Sequence, residues 1–153
     1  MNTSKTIKTN SAKAWLLAAR PKTLTGAAVP VLLGAMSAYL KAANEIRPLP
    51  IVFCFLFAFV MQIDANFVND YFDFRKGNDN EKRLGPKRAC AQGWITPAKM
   101  KCALYITTLL ACLIGLPLIF FGGWITILVG LVCVVFCFLY TTHLSYKGMG
   151  DLL

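Results

Sequence analysis

The residues best suited to chemistry lie between positions 62 and 79, where an apolar run ends in a charged segment. At the α-helical step of about 100° per residue, five polar side chains share roughly one third of the helix circumference. Ionisable groups near a membrane are costly and normally face a bundle interior or a wet cavity, so this face predicts a binding site. The face carries Gln62, Asn66, Asn69, Asp70 and Asp73.

Two of these residues, Asp70 and Asp73, are three apart, so their carboxylates are neighbours on a helix. Adjacent carboxylates repel each other unless one is protonated or a cation lies between them. Mg²⁺ takes oxygen ligands, usually one or two carboxylates with water and phosphate oxygens, and the amides of Asn66 and Asn69 add neutral oxygens. The pattern predicts a shallow site for Mg²⁺ and a diphosphate. Asp64 points away from this face and is predicted to be a paired or protonated structural group.

The segment that follows is basic, and its side chains could clamp a multiply charged phosphate, with arginine binding in bidentate fashion. Acidic residues that could bind a metal are followed here by basic residues that could bind the metal's anionic ligand. The two groups together form a more specific pattern than either group alone. The alternative is a solvated helix end with weak surface ion pairs. The basic residues are Arg75, Lys76, Lys82, Arg83, Lys87 and Arg88.

The composition indicates an integral membrane protein. The chain is 57% hydrophobic, above the roughly 45–50% of soluble domains, and its mean hydropathy is +0.58. The net charge of +9 is concentrated between long uncharged runs, which is typical of membrane topology and excludes a nucleic-acid-binding surface. The six cysteines form no C-x-x-C pair and His143 is the one histidine, so a zinc site is disfavoured.

The apolar runs predict an all-α membrane fold with four transmembrane helices, at about 24–40, 51–73, 101–121 and 124–142. Residues 1–13 are expected to be a disordered or surface-lying arm, and residues 14–20 a short amphipathic helix that begins the domain of residues 14–153. A cleaved signal peptide is the rival interpretation of the first span, but the preceding arm is long and Pro30 interrupts the run.

Charge orients these spans. The arm through Lys22 holds five Lys and Arg residues and the segment 74–101 holds eight, whereas the loop after the first span holds two. The positive-inside rule then places the N-terminus, the long loop and the C-terminal tail on the cytoplasmic side of the cell (inner) membrane.

Several motifs of the sequence resemble those of a known family. The motif N-D-Y-F-D at Asn69–Asp73 is similar to the first aspartate-rich motif of the UbiA-type intramembrane prenyltransferases, and other stretches resemble its 1,4-dihydroxy-2-naphthoate prenyltransferase branch in menaquinone synthesis. The resemblance extends over nearly the whole chain from about Ala14. The further stretches are residues 15–34, Asn66–Gly77, Arg83–Ala89, Gly93–Pro97 and Tyr146–Asp151.

The resemblance implies that a polyprenyl diphosphate binds through Mg²⁺, ionises, and alkylates a ring carbon of 1,4-dihydroxy-2-naphthoate with loss of the carboxylate, giving demethylmenaquinone. It implies Mg²⁺ ligands at Asn69, Asp70 and Asp73, with Asn66 assisting. The implied contacts to the diphosphate or the acceptor's carboxylate come from Arg83, Lys87 and Arg88, with Arg20, Lys22, Arg75 and Lys76 as further anion-binding residues.

The chain departs from the family pattern in two ways. The family often has a further acid four residues after the second aspartate; here Gly77 stands in that place, and Asp79 could reach back from the loop as a metal ligand. The family also has nine spans and a second aspartate-rich motif, whereas the one acid late in this chain is Asp151. The resemblance therefore predicts the first half of such an enzyme, inactive without a C-terminal half.

Two other hypotheses stay open at the sequence level. One is a UbiA-type enzyme with another aromatic acceptor, such as 4-hydroxybenzoate. The other is a non-catalytic four-helix transport or scaffold protein, which predicts Mg²⁺-independent behaviour and no effect of Asp70→Ala on diphosphate binding. A CDP-alcohol phosphatidyltransferase is disfavoured, because Phe74 follows Asp73 where a D-x-x-D-G pattern needs glycine.

Overall fold

The computed structural model describes residues 7–41, 47–77 and 87–140, and the regular secondary structure in these ranges is helical throughout. This confirms the predicted all-α class. Short 3₁₀ turns at Pro21–Thr23 and Leu116–Leu118 connect some of the helices. The α-helices are α1 (Ala12–Ala19), α2 (Leu24–Lys41), α3 (Pro48–Lys76), α4 (Pro97–Gly115), α5 (Ile119–Gly122) and α6 (Ile125–Leu139).

Within the described ranges, three helical stretches are long and apolar enough to cross a membrane, namely Ala12–Lys41, Pro48–Lys76 and Pro97–Gly122. About 20 apolar residues are needed to span a bilayer. The apolar helix α6 has 15 residues, and the last residues of the predicted fourth span lie outside the described ranges. The architecture is that of an integral membrane helical protein, as predicted.

Local sequence signals set the helix ends around the predicted site. Gly77 ends α3 in the left-handed region, with φ 71°, and its amide donates to the carbonyls of Asp73 and Phe74. Pro97 occupies the first turn of α4 directly after Thr96, where a missing amide hydrogen costs nothing. Arg20, with φ 51°, separates α1 from the 3₁₀ turn that leads into α2.

The buried core of the described residues lies at one end of the bundle. It joins α1, the last turns of α3, the segment 89–95 and the first turns of α4, with Val68, Ile95 and Met100 fully buried. By contrast, α2 and α6 contain no buried residues. The sequence therefore builds a packed structure at the end of α3 that carries the predicted site, and presents apolar surface elsewhere.

The N-terminal arm is held on this end from Ile7 onward. The amide of Asn10 donates to the carbonyl of Trp94 at 2.7 Å, and the Thr9 hydroxyl donates to the carbonyl of Gly93 at 3.1 Å. The side chain of Asn10 accepts in turn from the amide of Thr96 at 3.2 Å. Of the two predicted alternatives, the surface-lying one fits residues 7–11; residues 1–6 lie outside the described ranges.

Candidate functional site

The last turns of α3 meet the basic segment that follows it, as the site hypothesis requires. Asp70 is only 1% exposed, and its two carboxylate oxygens accept from two consecutive backbone amides. Oδ2 accepts from Ala89 at 2.7 Å and Oδ1 accepts from Cys90 at 2.9 Å, across 19 and 20 residues of sequence. A carboxylate with two such bonds is well satisfied although it is buried.

The segment that Asp70 binds is one compact turn. Its backbone bonds run from Gln92 to Arg88 at 3.0 Å, from Gly93 to the carbonyl of Cys90 at 3.1 Å, and from Trp94 to the carbonyl of Ala89 at 2.9 Å. With Gly93 at φ 68°, this is the pattern of a Schellman closure. The amides at the start of such a turn lack partners within it, and Asp70 supplies their acceptor.

The side chain of Arg88 extends from this turn to Asp73, with which it forms an ion pair. Arg88 is 6% exposed and Asp73 is 16% exposed at the side chain, so solvent screens this pair less than an exposed one. Lys87, the neighbouring base, is exposed. The structure thus brings together one predicted acid and one predicted base at the end of α3.

Asn66 binds a second basic turn, one helical turn before Asp70 on the same face of α3. Its side-chain amide donates to the carbonyl of Ala19 and to the hydroxyl of Thr23, both at 3.0 Å. These two bonds hold the turn that contains Arg20 against α3, while Lys22 on the same turn is exposed. Asn69, between the two anchored positions, is half-buried.

The bases at the very end of α3 are exposed. Arg75 lies back along its own helix: its Nη1 donates to the Tyr71 hydroxyl at 3.2 Å, and its guanidinium is 5.9 Å from the centre of the Tyr71 ring. Lys76 is also exposed. Asp79 and Arg83, also predicted for the site, lie outside the described residues, so their roles stay predictions.

Asp64 is fully buried one helical turn before the site, as its sequence position away from the polar face suggested. Its carboxylate accepts from the hydroxyls of Thr107 and Thr108 on α4, the latter at 3.0 Å. The prediction of a paired structural group is confirmed. These hydrogen bonds join α3 to α4 inside the bundle.

Of the predicted Mg²⁺ ligands, Asn69, Asp70 and Asp73 lie in the described ranges. Within residues 7–41, 47–77 and 87–140, no group of three or more His, Cys, Asp or Glu side chains is placed to hold a metal ion. The oxygens of Asp70 face backbone amides, and Asp73 faces a guanidinium. These carboxylates are thus bonded to groups of the protein, and their role as metal ligands stays a prediction.

Sequence reasoning missed the backbone partners of these polar side chains. The run Ala89–Gly93 carries a signal in its glycine, because glycine is the residue that most often closes a helical turn in the left-handed conformation. Nothing in helical periodicity identifies Asp70 as the acceptor for that turn, since the bond joins segments 19 residues apart.

An apolar cavity of about 990 Å³ opens away from the polar end, between α2, α3, α4 and α6. Most of the residues that line it are apolar, and its volume is in the range of small-molecule binding sites. Among them are Ala35, Tyr39, Cys54, Phe57, Leu116 and Val134.

Comparison with known proteins defines the class to which this fold and site belong. The UbiA prenyltransferase family model matches residues 27–153, and the chain belongs to this family. No solved structure gives a significant match.

Among curated relatives, the chain is 34% identical to the 1,4-dihydroxy-2-naphthoate octaprenyltransferase of Escherichia coli, over 92% of the chain and 48% of the relative. It is 31% identical to the enzyme of that name from Haemophilus influenzae, over 97% of the chain and 51% of the relative. For the Mycobacterium tuberculosis enzyme the identity is 33%, over 90% and 47%. The chain spans about half the length of these relatives.

Proposed function

We propose that this chain forms the first half of a membrane enzyme that transfers a polyprenyl group from its diphosphate to 1,4-dihydroxy-2-naphthoate. The observation that carries the proposal is the ion pair between Asp73 and Arg88, which unites the acidic face of α3 with the basic segment after it. The scaffold hypothesis predicts a solvated helix end with exposed ion pairs, whereas this pair is largely shielded from solvent, as an anion-binding site requires.

The diphosphate is recognised by cations that the fold holds in place. The planar guanidinium of Arg88 matches the geometry of a phosphate group and can bind it through two parallel hydrogen bonds. Lys87 adds an exposed positive charge beside it, and the turn with Arg20 and Lys22 adds charge one helical turn earlier along the same face of α3. Hydrogen bonds between charged partners contribute about 1.5–3 kcal/mol each, enough to select a diphosphate over a neutral lipid.

The reaction that we propose breaks two bonds and forms one. The bond between the allylic carbon and the diphosphate oxygen breaks, and its electron pair leaves with the diphosphate. The allylic carbon then bonds to the ring carbon that bears the carboxylate of the acceptor. The bond from that ring carbon to the carboxylate breaks, its electron pair returns to the ring, and the carboxylate leaves as carbon dioxide. Arg88 and Lys87 stabilise the negative charge that develops on the leaving group, an electrostatic task that fixed cations perform well.

Mg²⁺ enters the proposal through the sequence motif alone. Asn69 and Asp73 are the oxygen-bearing residues of α3 that we assign to the diphosphate side, and the remaining ligands of a hydrated Mg²⁺ would be water and phosphate oxygens. Asp79, beyond the described end of α3, is the further candidate.

The apolar parts of the molecule fit the rest of the substrate. We propose that the cavity of about 990 Å³ receives the prenyl chain, since its apolar lining opens toward the membrane part of the bundle. The basic segments then lie on the cytoplasmic side of the inner membrane, as the positive-inside rule suggests.

A binding experiment on the whole 153-residue chain in lipid nanodiscs tests this proposal. The chain should bind farnesyl diphosphate in MgCl₂, and Arg88→Gln should weaken binding by about tenfold or more, because a charge-assisted hydrogen bond is lost. Lys41→Gln, at the far end of α2, is the matched control and should leave the affinity unchanged.

The acceptor is tested in the same preparation. We expect 1,4-dihydroxy-2-naphthoate to bind more tightly than 4-hydroxybenzoate, and no turnover by the chain alone. Undetectable diphosphate binding, or equal losses for Arg88→Gln and Lys41→Gln, would favour the scaffold hypothesis. Turnover by the purified chain would show that it is a complete catalyst.

A further inference from the structure

The polar face of α3 consists of two pairs of residues, each pair spaced one helical turn apart. Asn66 and Asp70 form one pair and are buried, at 4% and 1% exposure. Asn69 and Asp73 form the other and are half-buried. The two pairs lie side by side on the helix, so periodicity alone assigns all four residues to one site.

The contacts of the first pair distinguish it from the second. Asn66 donates to the turn of Arg20, and Asp70 accepts from the turn of Arg88. Both side chains therefore bind a segment that carries an arginine: Asn66 donates to a backbone carbonyl and to the Thr23 hydroxyl, and Asp70 accepts from two backbone amides. Asp73, in contrast, binds the guanidinium of Arg88 itself.

Release of Asp70 to a metal would be costly. Its carboxylate would leave the amides of Ala89 and Cys90 as buried donors without an acceptor, which destabilises the folded turn. It would also lose the acceptor that keeps the start of the turn closed, so Arg88 would lose its fixed position beside Asp73.

We propose that Asn66 and Asp70 are positioning residues, which hold the turns of Arg20 and Arg88 against successive turns of the same face of α3, while Asn69 and Asp73 face the substrate. The first aspartate of the N-D-Y-F-D motif then acts through Arg88 and is not a metal ligand. This inference rests on the proposed function, because Arg88 is assigned there to the diphosphate.

A double-mutant cycle on the whole chain in nanodiscs tests the inference. Asp70→Asn should weaken farnesyl diphosphate binding by about five- to tenfold in the parent chain, but by less than twofold when Arg88→Gln is already present. A residue that merely stabilises the fold would give losses that add. Additive losses would overturn the proposal.

The dependence on Mg²⁺ provides a second measurement. Asp73→Asn should raise the Mg²⁺ concentration needed for half-maximal farnesyl diphosphate binding, whereas Asp70→Asn should lower the affinity without moving that midpoint. A midpoint shift in Asp70→Asn as large as that in Asp73→Asn would assign Asp70 to the metal and contradict the inference.

Amide hydrogen exchange without ligand separates this inference from the proposed function. Asp70→Asn should speed exchange at Ala89 and Cys90 and leave α4 protected, while Asp73→Asn should not speed it. Unchanged exchange at Ala89 and Cys90 overturns the positioning role even if farnesyl diphosphate binds. Faster exchange in a chain that does not bind it refutes the proposed function and leaves Asp70 as a structural residue.

A second variant is available if Asp70→Asn does not fold. Asn66→Ala should speed exchange in the segment 19–24 and should weaken farnesyl diphosphate binding in a way that is non-additive with Arg20→Gln. Additivity between these two changes would contradict the positioning role of Asn66.

Discussion

Three buried polar residues of α3 bind three different parts of the chain. Asp64 binds α4, Asn66 binds the turn before α2, and Asp70 binds the turn after α3. A polar group buried without a partner would cost about 1–3 kcal/mol, so each of these contacts favours one arrangement of its segment over the alternatives. At the level of single residues, α3 thus organises the polar end of the bundle.

The pair of threonines opposite Asp64 leads to a stability prediction. Replacing both Thr107 and Thr108 by valine removes two hydroxyl donors from a fully buried carboxylate, and should lower the free energy of unfolding by about 1–3 kcal/mol. Thermal unfolding of the purified protein in detergent measures the change. Thr25→Val is the control, because the Thr25 hydroxyl donates to a backbone carbonyl of its own turn and is exposed.

Adding Asp64→Leu to the double valine variant should restore most of the lost stability, since an apolar side chain needs no donors there. A triple variant no more stable than the double variant would show that the loss comes from packing and not from the unsatisfied carboxylate.

At the level of elements, the structure follows the sequence wherever the signal is local. Apolar runs predict α2, α3 and α4, Gly77 ends α3, and Thr96 with Pro97 begins α4. Each of these depends on neighbouring residues, so propensity and capping identify it.

The parts that could not be predicted depend on contacts distant in sequence. The hydrogen bond from Thr9 to Gly93 joins residues 84 apart, and the bond from Ala89 to Asp70 joins residues 19 apart. Periodicity correctly placed Asp70 on a polar face, but could not distinguish a carboxylate that binds backbone amides from one that binds a cation. Both uses favour the same residue type at the same helix position.

The turn after α3 leads to a prediction about how a single glycine keeps an element closed. Gly93 has φ 68°, where a side chain costs about 1–2 kcal/mol, so Gly93→Ala should open the turn and speed amide exchange across residues 87–96. Gly77→Ala is the matched control, with the same kind of backbone conformation at φ 71° but outside this turn.

Exchange at residues 87–96 should be unaffected by Gly77→Ala, and the farnesyl diphosphate affinity should fall in Gly93→Ala because Arg88 is no longer held. Equal exchange in both variants would mean that Asp70, and not the glycine closure, alone determines the order of the turn.

At the level of the whole molecule, the packed polar end and the exposed apolar helix surfaces differ in what surrounds their side chains. The core that joins α1, α3 and α4 holds the buried side chains of Asn66 and Asp70 in hydrogen bonds, whereas α2 and α6 present exposed apolar side chains along their length. Lipid covers such surfaces in a membrane protein, and so do further helices. The chain spans about half the length of its curated relatives, and under the proposed function both kinds of cover apply to these surfaces.

A substitution in the cavity between α2, α3, α4 and α6 tests whether the prenyl chain and the diphosphate bind to separate parts of the molecule. Ala35 lines it, so Ala35→Trp should obstruct a long prenyl chain and weaken binding of geranylgeranyl diphosphate at least tenfold. Dimethylallyl diphosphate, which depends on the polar end alone, should bind as before. Each buried methylene contributes about 0.8 kcal/mol, so the loss should grow with chain length.

Leu33→Trp is the control for this change, because Leu33 lies on the same helix, is 65% exposed, and is not among the cavity's lining residues. Equal losses for the two diphosphates, or the same effect of Leu33→Trp, would mean that the prenyl chain lies elsewhere. A loss confined to Ala35→Trp and to the longer substrate would support a model in which the turns beside α3 bind the diphosphate and the apolar cavity binds the prenyl chain. In that model a substitution far from the charged residues weakens binding only when the prenyl chain is long enough to reach it.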